Sequence, residues 1–321
     1  MKRILILGAG RSSAHLITYL LQHAGKYAWH VRVGDMLLSN AEYKTKGHSS
    51  SSVFCLNADD NEQRSYEVSN ADLVISMLPA SMHVLVAADC LVHGRHLITP
   101  SYVSDEMRAL HEEASSKGLL FLNEMGVDPG IDHMSAMQII HRLQSEGARL
   151  ISFESFTGGL VAPECDNNPW NYKISWNPRN VVLAGYGGTA RYQSDEEFKY
   201  LPYHRLFKQI TEVEIDGYGN FDGYANRDSL KYKKIYGLDE IPTLYRGTLR
   251  RGGFCKAWDA LVQLGLTDDS FQIANTSSMM WHQLTSSFVT RSNGQTLQDA
   301  VRLCTGADDA VMHKLQWLGI F

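Results

Sequence analysis

Ile4, Leu5, Ile6 and Leu7 form an unbroken apolar run, the pattern of a strand buried on both faces of a parallel sheet. Gly8-Ala9-Gly10 follows at once, and Ala14, Leu16, Ile17, Leu20 and Leu21 then recur at helical spacing. A second strand is predicted over His30 to Val33, ending at Gly34-Asp35. Further strand segments fall at Ser52 to Leu56, Ala71 to Leu78, Arg95 to Thr99 and Leu119 to Leu122. Helical stretches such as Met82 to Val92 and Asp105 to Lys117 separate them. Strands and helices alternating at this pitch predict an α/β fold with a doubly wound parallel sheet.

The pattern changes after Arg149. RLISFESFTGG, from Arg149 to Gly159, alternates polar and aromatic positions, and Trp170, Tyr172, Trp176, Tyr186, Tyr192, Tyr200 and Tyr203 crowd into sequence that reads as loop. Alternation returns at Glu212 to Ile215 and Thr243 to Leu249, predicting a more antiparallel sheet. Helices are predicted over Lys256 to Leu264, Ser278 to Val289, Thr296 to Leu303 and Asp309 to Leu318. The reading is therefore two domains: residues 1–133 around the parallel sheet, and an α+β domain over 134–321. A chain of 321 residues is long enough for each to bury a core.

Composition narrows the function classes. A net charge of −5 gives no basic footprint, so nucleic acid is not an expected partner. No apolar stretch reaches the length of a membrane span, and the ILIL run is too short for a signal peptide. Five scattered cysteines without a CxxC pair read as reduced thiols of a cytoplasmic protein. No HExxH or Cys-His spacing appears, so no metal is expected.

Candidate chemistry begins at the glycines. Strand, Gly-x-Gly and helix form a dinucleotide-binding context in which Gly8 permits the tight turn, Gly10 lets the backbone approach a pyrophosphate, and the helix start through Arg11, Ser12 and Ser13 receives the negative charge. The third small position is Ser13 rather than Gly. Asp35 lies where an acid would bind the adenosine ribose hydroxyls, which favours NAD over NADP by repelling a 2′-phosphate. Asn57, Ala58, Met77, Leu78, Pro79, Ser101, Tyr102 and Asp128 lie at or just beyond strand ends and should line one crevice with the cofactor. The stretch NEMGVDPGIDH, Asn123 to His133, packs two aspartates, a glutamate and a histidine around a Pro-Gly corner. It reads equally as architecture, with Asp132 in the first turn of a helix, or as a site built on Asp128. Arg227 and Arg250 could hold anionic groups, although surface arginines are more often solvated. Gly158-Gly159 allows close approach to a ligand or tight packing alike. His83, His96 and His133 each read as structural.

Several runs, in this order, carry a resemblance: SYVS at Ser101 to Ser104, NEMGVDPGIDH, GGLVAPE at Gly158 to Glu164, NPWNYKISWNPR at Asn168 to Arg179, NRDS at Asn226 to Ser229 and RGTLR at Arg246 to Arg250. Together they resemble the saccharopine dehydrogenase (saccharopine reductase) family over nearly the whole chain. The resemblance implies a Rossmann-like cofactor domain joined to an α+β substrate-binding domain. It implies reversible NAD(P)-linked oxidation of a CH–NH group, converting saccharopine and water to glutamate and 2-aminoadipate 6-semialdehyde in lysine metabolism. By motif, Ser101, Tyr102 and Asp128 would contact the substrate, Arg227, Thr248, Leu249 and Arg250 would hold its carboxylates, and Asp128 or Tyr102 would handle the proton. Thr157 stands where many members carry a cysteine, and Gly34-Asp35-Met36 points to NAD, with NADP as the alternative. Members continue beyond the segment equivalent to Trp317 to Phe321, through a return segment absent from this sequence. The resemblance leaves room for a homodimer, for a related carboxyalkyl-amine dehydrogenase of polyamine type, and for a non-catalytic nucleotide- or amino-acid-binding protein.

Overall fold

The computed structural model describes residues 1–175, 178–183 and 188–321; Trp176 and Tyr186 of the aromatic-rich stretch lie outside the described residues. The chain divides into two compact units, Met1–Gln138 and Ile139–Phe321.

The first unit holds six parallel strands: β1 (Lys2–Leu7), β2 (Trp29–Asp35), β3 (Ser51–Cys55), β4 (Leu73–Ser76), β5 (His96–Ile98) and β6 (Phe121–Leu122). Their order is β3-β2-β1-β4-β5-β6, so the topology reverses beside β1, between strands β1 and β4. The unbroken apolar run of β1 is explained by burial on both sides. Ile4 and Ile6 pack with Ile17, Leu20 and Leu21 of helix α1 (Ala14–Tyr27) and Ala41 of α2 (Leu38–Thr45). Leu5 and Leu7 face the opposite way, onto Val68 of α3 (Asn61–Ser69), Val86, Ala87 and Cys90 of α4 (His83–His93) and Met107 of α5 (Asp105–Ala109). The alternation of side chains along a strand thus feeds two separate cores.

Two sequence expectations change here. The helix predicted over Asp105 to Lys117 is broken at Leu110, where ψ rises to −2°, giving α5 and a second short helix α6 (His111–Ser116). Helices α2 and α3 were not foreseen, because their mean hydropathy is low and their apolar faces are narrow. Helix α7 (Ile131–Ser145) follows the Pro-Gly corner.

The second unit is built on strands β7 (Ser152–Thr157), β8 (Ala190–Ser194), β9 (Glu197–Leu201), β10 (Ile210–Ile215), β11 (Gly219–Ala225) and β12 (Thr243–Arg251). The order β10-β11-β12-β8-β9 is antiparallel throughout, while β7 pairs with β12 in parallel. The sequence read as loop around Tyr192 and Tyr200 is instead the β8–β9 hairpin. Asp195 and Glu196 both take positive φ, 50° and 69°, in its two-residue turn, the backbone that a tight hairpin requires. Short helices α8 (Pro178–Val182), α9 (Tyr203–Leu206) and α10 (Tyr232–Ile235) join the strands; α11 (Phe254–Gln263), α12 (Trp281–Ser286), α13 (Leu297–Thr305) and α14 (Asp309–Trp317) follow. Helix α12 is shorter than the Ser278 to Val289 segment predicted, and Ser278 belongs to a separate 3-10 turn. The core centres on α11, whose Phe254 and Trp258 stack at 5.2 Å and meet Trp170 edge-on. Among the described residues, no helix is long and apolar enough to cross a membrane.

Candidate functional site

The dinucleotide-type turn is formed as its sequence implied. Gly8 has φ of 100°, and a Cβ there would lie 2.8 Å from the Met77 carbonyl oxygen, so a side chain is excluded by both backbone and neighbour. A Cβ on Gly10 would meet nothing within 4 Å. That open approach to the backbone is what a pyrophosphate needs. Ser13 is buried and its hydroxyl donates to the Gly10 carbonyl at 2.8 Å, so the third small position is filled without spreading helix from sheet. Arg11 and Ser12 are exposed on the 3-10 turn leading into α1, where no side chain caps the first amides. The Ser13 amide donates to the Gly10 carbonyl at 3.2 Å, and the neighbouring backbone N–H groups of the turn are suited to an anion.

Asp35, at the end of β2, has its carboxylate braced by the loop. Oδ2 accepts from the Ala9 amide at 2.7 Å, and Oδ1 accepts from the Leu37 amide and Asn40 Nδ2, both at 3.0 Å. The Lys44 ammonium donates to the carbonyls of Ala9 and Gly10. Burial lowers its pKa, and the Asp35 charge opposes that shift. Sequence reading passed over Lys44, since a lysine in the last turn of a helix carries no distinguishing pattern. Asn57 and Ala58 follow β3: Asn57 Oδ1 accepts from the Asp59 amide, and Ala58 packs on the core while its carbonyl accepts from Arg64. Leu78 also leans on that core, whereas Pro79 is exposed.

The loops after β5 and β6 are stitched to one another. The Glu124 amide donates to the Ser101 carbonyl at 3.1 Å, the Met125 amide to the Thr99 carbonyl at 3.0 Å, and the Val103 amide to Glu124 Oε1 at 3.1 Å. Glu124 takes a positive φ of 59° to do so. The result is that Tyr102 Oη donates to Asp128 Oδ1 at 2.7 Å, with both side chains half-buried. A short hydroxyl-to-carboxylate bond is the stronger, charge-assisted kind when the acid is ionised. Such a pair can hold or pass a proton at one oxygen.

Beyond Asp128 the corner is sterically fixed. Gly130 has φ of 149°, and a Cβ there would fall 2.1 Å from the Gly126 carbonyl oxygen. The Gly126 amide donates to the Pro129 carbonyl at 2.9 Å, and Asp132 Oδ1 accepts from the Gly130 amide at 2.8 Å. Asp132 therefore braces the helix entry. His133 lies 3.3 Å from Glu124 and 3.6 Å from Asp132.

Ser101 is tied from a third direction. His83, at the start of α4, is 3% exposed; its Nδ1 lies 2.9 Å from Ser76 Oγ at the end of β4, and its Nε2 lies 2.8 Å from Ser101 Oγ. Burial pushes the His83 pKa down to about 4. Three successive strand-end loops thus meet at one cluster of hydroxyl, imidazole and carboxylate.

In the second unit the named arginines stand apart. Asp222 pairs with Arg250 and Ala225 with Gly247 across β11 and β12, so Arg227, just past β11, is about five residues or roughly 15 Å along the strands from the level of Arg250. Arg227 is exposed, with a positive φ of 33°. Arg250 is 8% exposed; its guanidinium lies over the rings of Tyr172 at 4.6 Å, Phe254 at 5.6 Å and Tyr224 at 6.0 Å, and Nη1 donates to the Leu249 carbonyl. Its Nε is buried without a hydrogen-bond partner among the described residues. A buried cation held by aromatic faces favours an anion as its neighbour. Tyr172 and Phe254 also wall an apolar cleft of 390 Å³, together with Trp170, Trp258 and Trp317. Thr248 is half-buried and pairs with Thr157, while Leu249 is buried. A Cβ on Gly158 would lie 2.6 Å from the Leu249 carbonyl oxygen; tight packing accounts for that glycine. No group of three or more His, Cys, Asp or Glu side chains among the described residues is placed to hold a metal.

Comparisons with known proteins agree on one family. Residues 4–122 match the family described as the saccharopine dehydrogenase NADP binding domain, and residues 126–317 match the saccharopine dehydrogenase C-terminal domain. The chain is 32% identical over 333 residues to saccharopine dehydrogenase [NADP(+), L-glutamate-forming] of Schizosaccharomyces pombe, covering 100% of this chain and 73% of that protein. It is 33% identical to the mitochondrial alpha-aminoadipic semialdehyde synthase of Bos taurus, covering 99% of this chain and 35% of the relative. The chain thus spans about a third of that relative's length. Among solved structures, apo saccharopine dehydrogenase (L-Glu forming) from Saccharomyces cerevisiae superposes with a TM-score of 0.85 at 29% identity, over 100% of this chain and 72% of that one. The glycine turn, the stitched strand-end loops and these matches over both units lead to one conclusion: the chain belongs to the saccharopine dehydrogenase family.

Proposed function

We propose that the protein is an NAD(P)-dependent oxidoreductase acting on the CH–NH group of saccharopine, releasing glutamate and 2-aminoadipate 6-semialdehyde, in lysine metabolism. The observation that carries this reading is the Tyr102–Asp128 pair at 2.7 Å beyond the carboxyl ends of a parallel sheet, where such folds place their ligands. The residues of the glycine turn fit a dinucleotide, by the open approach to Gly10 and the uncapped amides that follow it. Bound there, the nicotinamide would accept hydride from the substrate carbon bonded to nitrogen.

The chain's own groups have three tasks. Asp128 receives the proton of the substrate's secondary ammonium, because only an unprotonated amine has the lone pair that drives hydride departure. Tyr102, donating to Asp128 Oδ1, keeps the carboxylate aimed, and the proton taken up by Asp128 is given back to the leaving amine as water adds to the resulting imine and the C–N bond breaks. Ser101 orients the substrate by its hydroxyl. Arg250, Arg227, Thr248 and Leu249 are the groups proposed to receive carboxylates. The aromatic bracket of Arg250 makes its guanidinium a fixed recognition element rather than a mobile surface charge.

Asp35 supports a preference for NAD, since its fixed carboxylate would repel a 2′-phosphate; the family description and the fungal relative's name speak for NADP. Lys44 beside the same loop tempers that repulsion. A cytoplasmic location and a homodimer belong to the same proposal. The test is saccharopine-dependent appearance of reduced cofactor with NAD and NADP in turn. Absence of turnover with both would overturn the reading.

A further inference from the structure

The imidazole of His83 is one of the most enclosed polar groups of the first unit, and nothing in the reaction just described requires it. Both ring nitrogens are engaged: Nδ1 with Ser76 Oγ at 2.9 Å and Nε2 with Ser101 Oγ at 2.8 Å. Ser76 is fully buried at the end of β4, and His83 is its side-chain hydrogen-bond partner among the described residues. A buried hydroxyl whose proton found no acceptor would be costly. Ser76 therefore donates to Nδ1, which leaves Nδ1 bare and puts the ring proton on Nε2. Nε2–H then donates to Ser101 Oγ, and the hydroxyl proton of Ser101 is directed away from the ring, free to donate to a ligand. The reverse tautomer would turn the Ser101 proton inward and offer a ligand only lone pairs.

We infer that His83 is a positioning residue that, through the Ser76–His83–Ser101 chain, fixes the Ser101 hydroxyl as a donor for a carboxylate of the substrate. The assignment rests on the saccharopine reading for the identity of that carboxylate. It commits β4, α4 and the β5 loop to one arrangement, because one ring spans all three. Such support behind a binding hydroxyl is the usual way a polar contact is held to a fraction of an ångström. Burial keeps the ring neutral near pH 7, as this chain of bonds requires.

The test has two arms on the full chain. Nitrogen-15 histidine NMR of the unmutated protein should show His83 neutral and protonated on Nε2, with its resonances shifting when saccharopine binds. A proton on Nδ1, or a charged ring at neutral pH, would overturn the assignment. In kinetics, His83→Leu should raise KM for saccharopine about tenfold, the size of one lost oriented hydrogen bond, while the dissociation constant of the cofactor stays unchanged. His83→Gln, whose amide reaches about as far as Nε2, should restore most of the loss. In a Ser101→Ala background His83→Leu should add nothing. Multiplying losses, or cofactor affinity falling in step, would show a merely structural histidine. Should the unmutated protein turn over no saccharopine, the functional reading falls, and the tautomer measurement alone decides the role of His83.

Discussion

The buried imidazole of His83 also makes a stability prediction whose sign and size can be worked out. Its pKa lies at about 4 in the folded protein, against 6.5 when exposed, because burial disfavours the charged ring. Above pH 6.5 both states hold the neutral form and the group is silent. As pH falls through 6.5 the unfolded chain binds a proton that the folded chain refuses, so stability is lost progressively down to the folded pKa. Between pH 7.5 and 4.5 this amounts to about 2.5 kcal/mol. Carboxylates titrate in the same window, so the measurement is the difference between the unmutated protein and His83→Gln, which has no such proton to bind. Pulse hydrogen exchange across a urea series, read on peptides from β4 and α4, follows the first unit by itself. The stability advantage of His83 over Gln should shrink by about 2.5 kcal/mol from pH 7.5 to 4.5. An advantage of the same size at both pH values would mean that the buried ring does not resist protonation.

Other expectations follow from the same geometry. Asp128→Ala should lower turnover on the order of 10²- to 10³-fold, the size of a lost general base, with cofactor affinity in fluorescence titration largely kept; an unchanged rate would remove Asp128 from the mechanism. Gly130→Ala would set a Cβ against the Gly126 carbonyl at a φ of 149° and should cost about 3 kcal/mol, read as a Tm lower by roughly 10 °C. Retention of Tm would mean the corner yields more easily than its contacts imply. Asp35→Asn keeps an acceptor for the Ala9 amide but removes the charge, so NADP should bind about tenfold tighter while NAD changes little; equal changes for both cofactors would exclude Asp35 as the discriminating group.

Much of the first unit was legible because its physics is local. A strand buried on both faces must be apolar without a break, and the β1 run followed by Gly-x-Gly could be little else. Asp35, Ser101, Tyr102 and Asp128 stood out because strand ends in this topology face ligands. The hydrogen bond between Tyr102 and Asp128 was beyond sequence, since it depends on a left-handed Glu124 and on bonds between two loops. The second unit was less readable. The β8–β9 hairpin turns at Asp195-Glu196, which lacks the glycine that announces such turns, whereas the segment before Asn226 reads as strand-like and forms β11. Alternation marked β7 and β12 as half-buried strands, but nothing local says that they run parallel. His83 was dismissed as a lone histidine; its role shows only when Ser76 and Ser101 are brought to its two nitrogens. The resemblance named Arg250 as a carboxylate-binding group, but its enclosure among Tyr172, Tyr224 and Phe254 shows only in the fold.

Adding saccharopine to the protein with NAD or NADP, and following the absorbance of reduced nicotinamide with glutamate assayed as product, decides whether the protein oxidises saccharopine. Reduced cofactor and glutamate should appear in equal amounts, dependent on saccharopine and abolished or nearly so by Asp128→Ala. Saccharopine binding in calorimetry with neither product formed would contradict that activity, and would make the protein a ligand-binding member of its family.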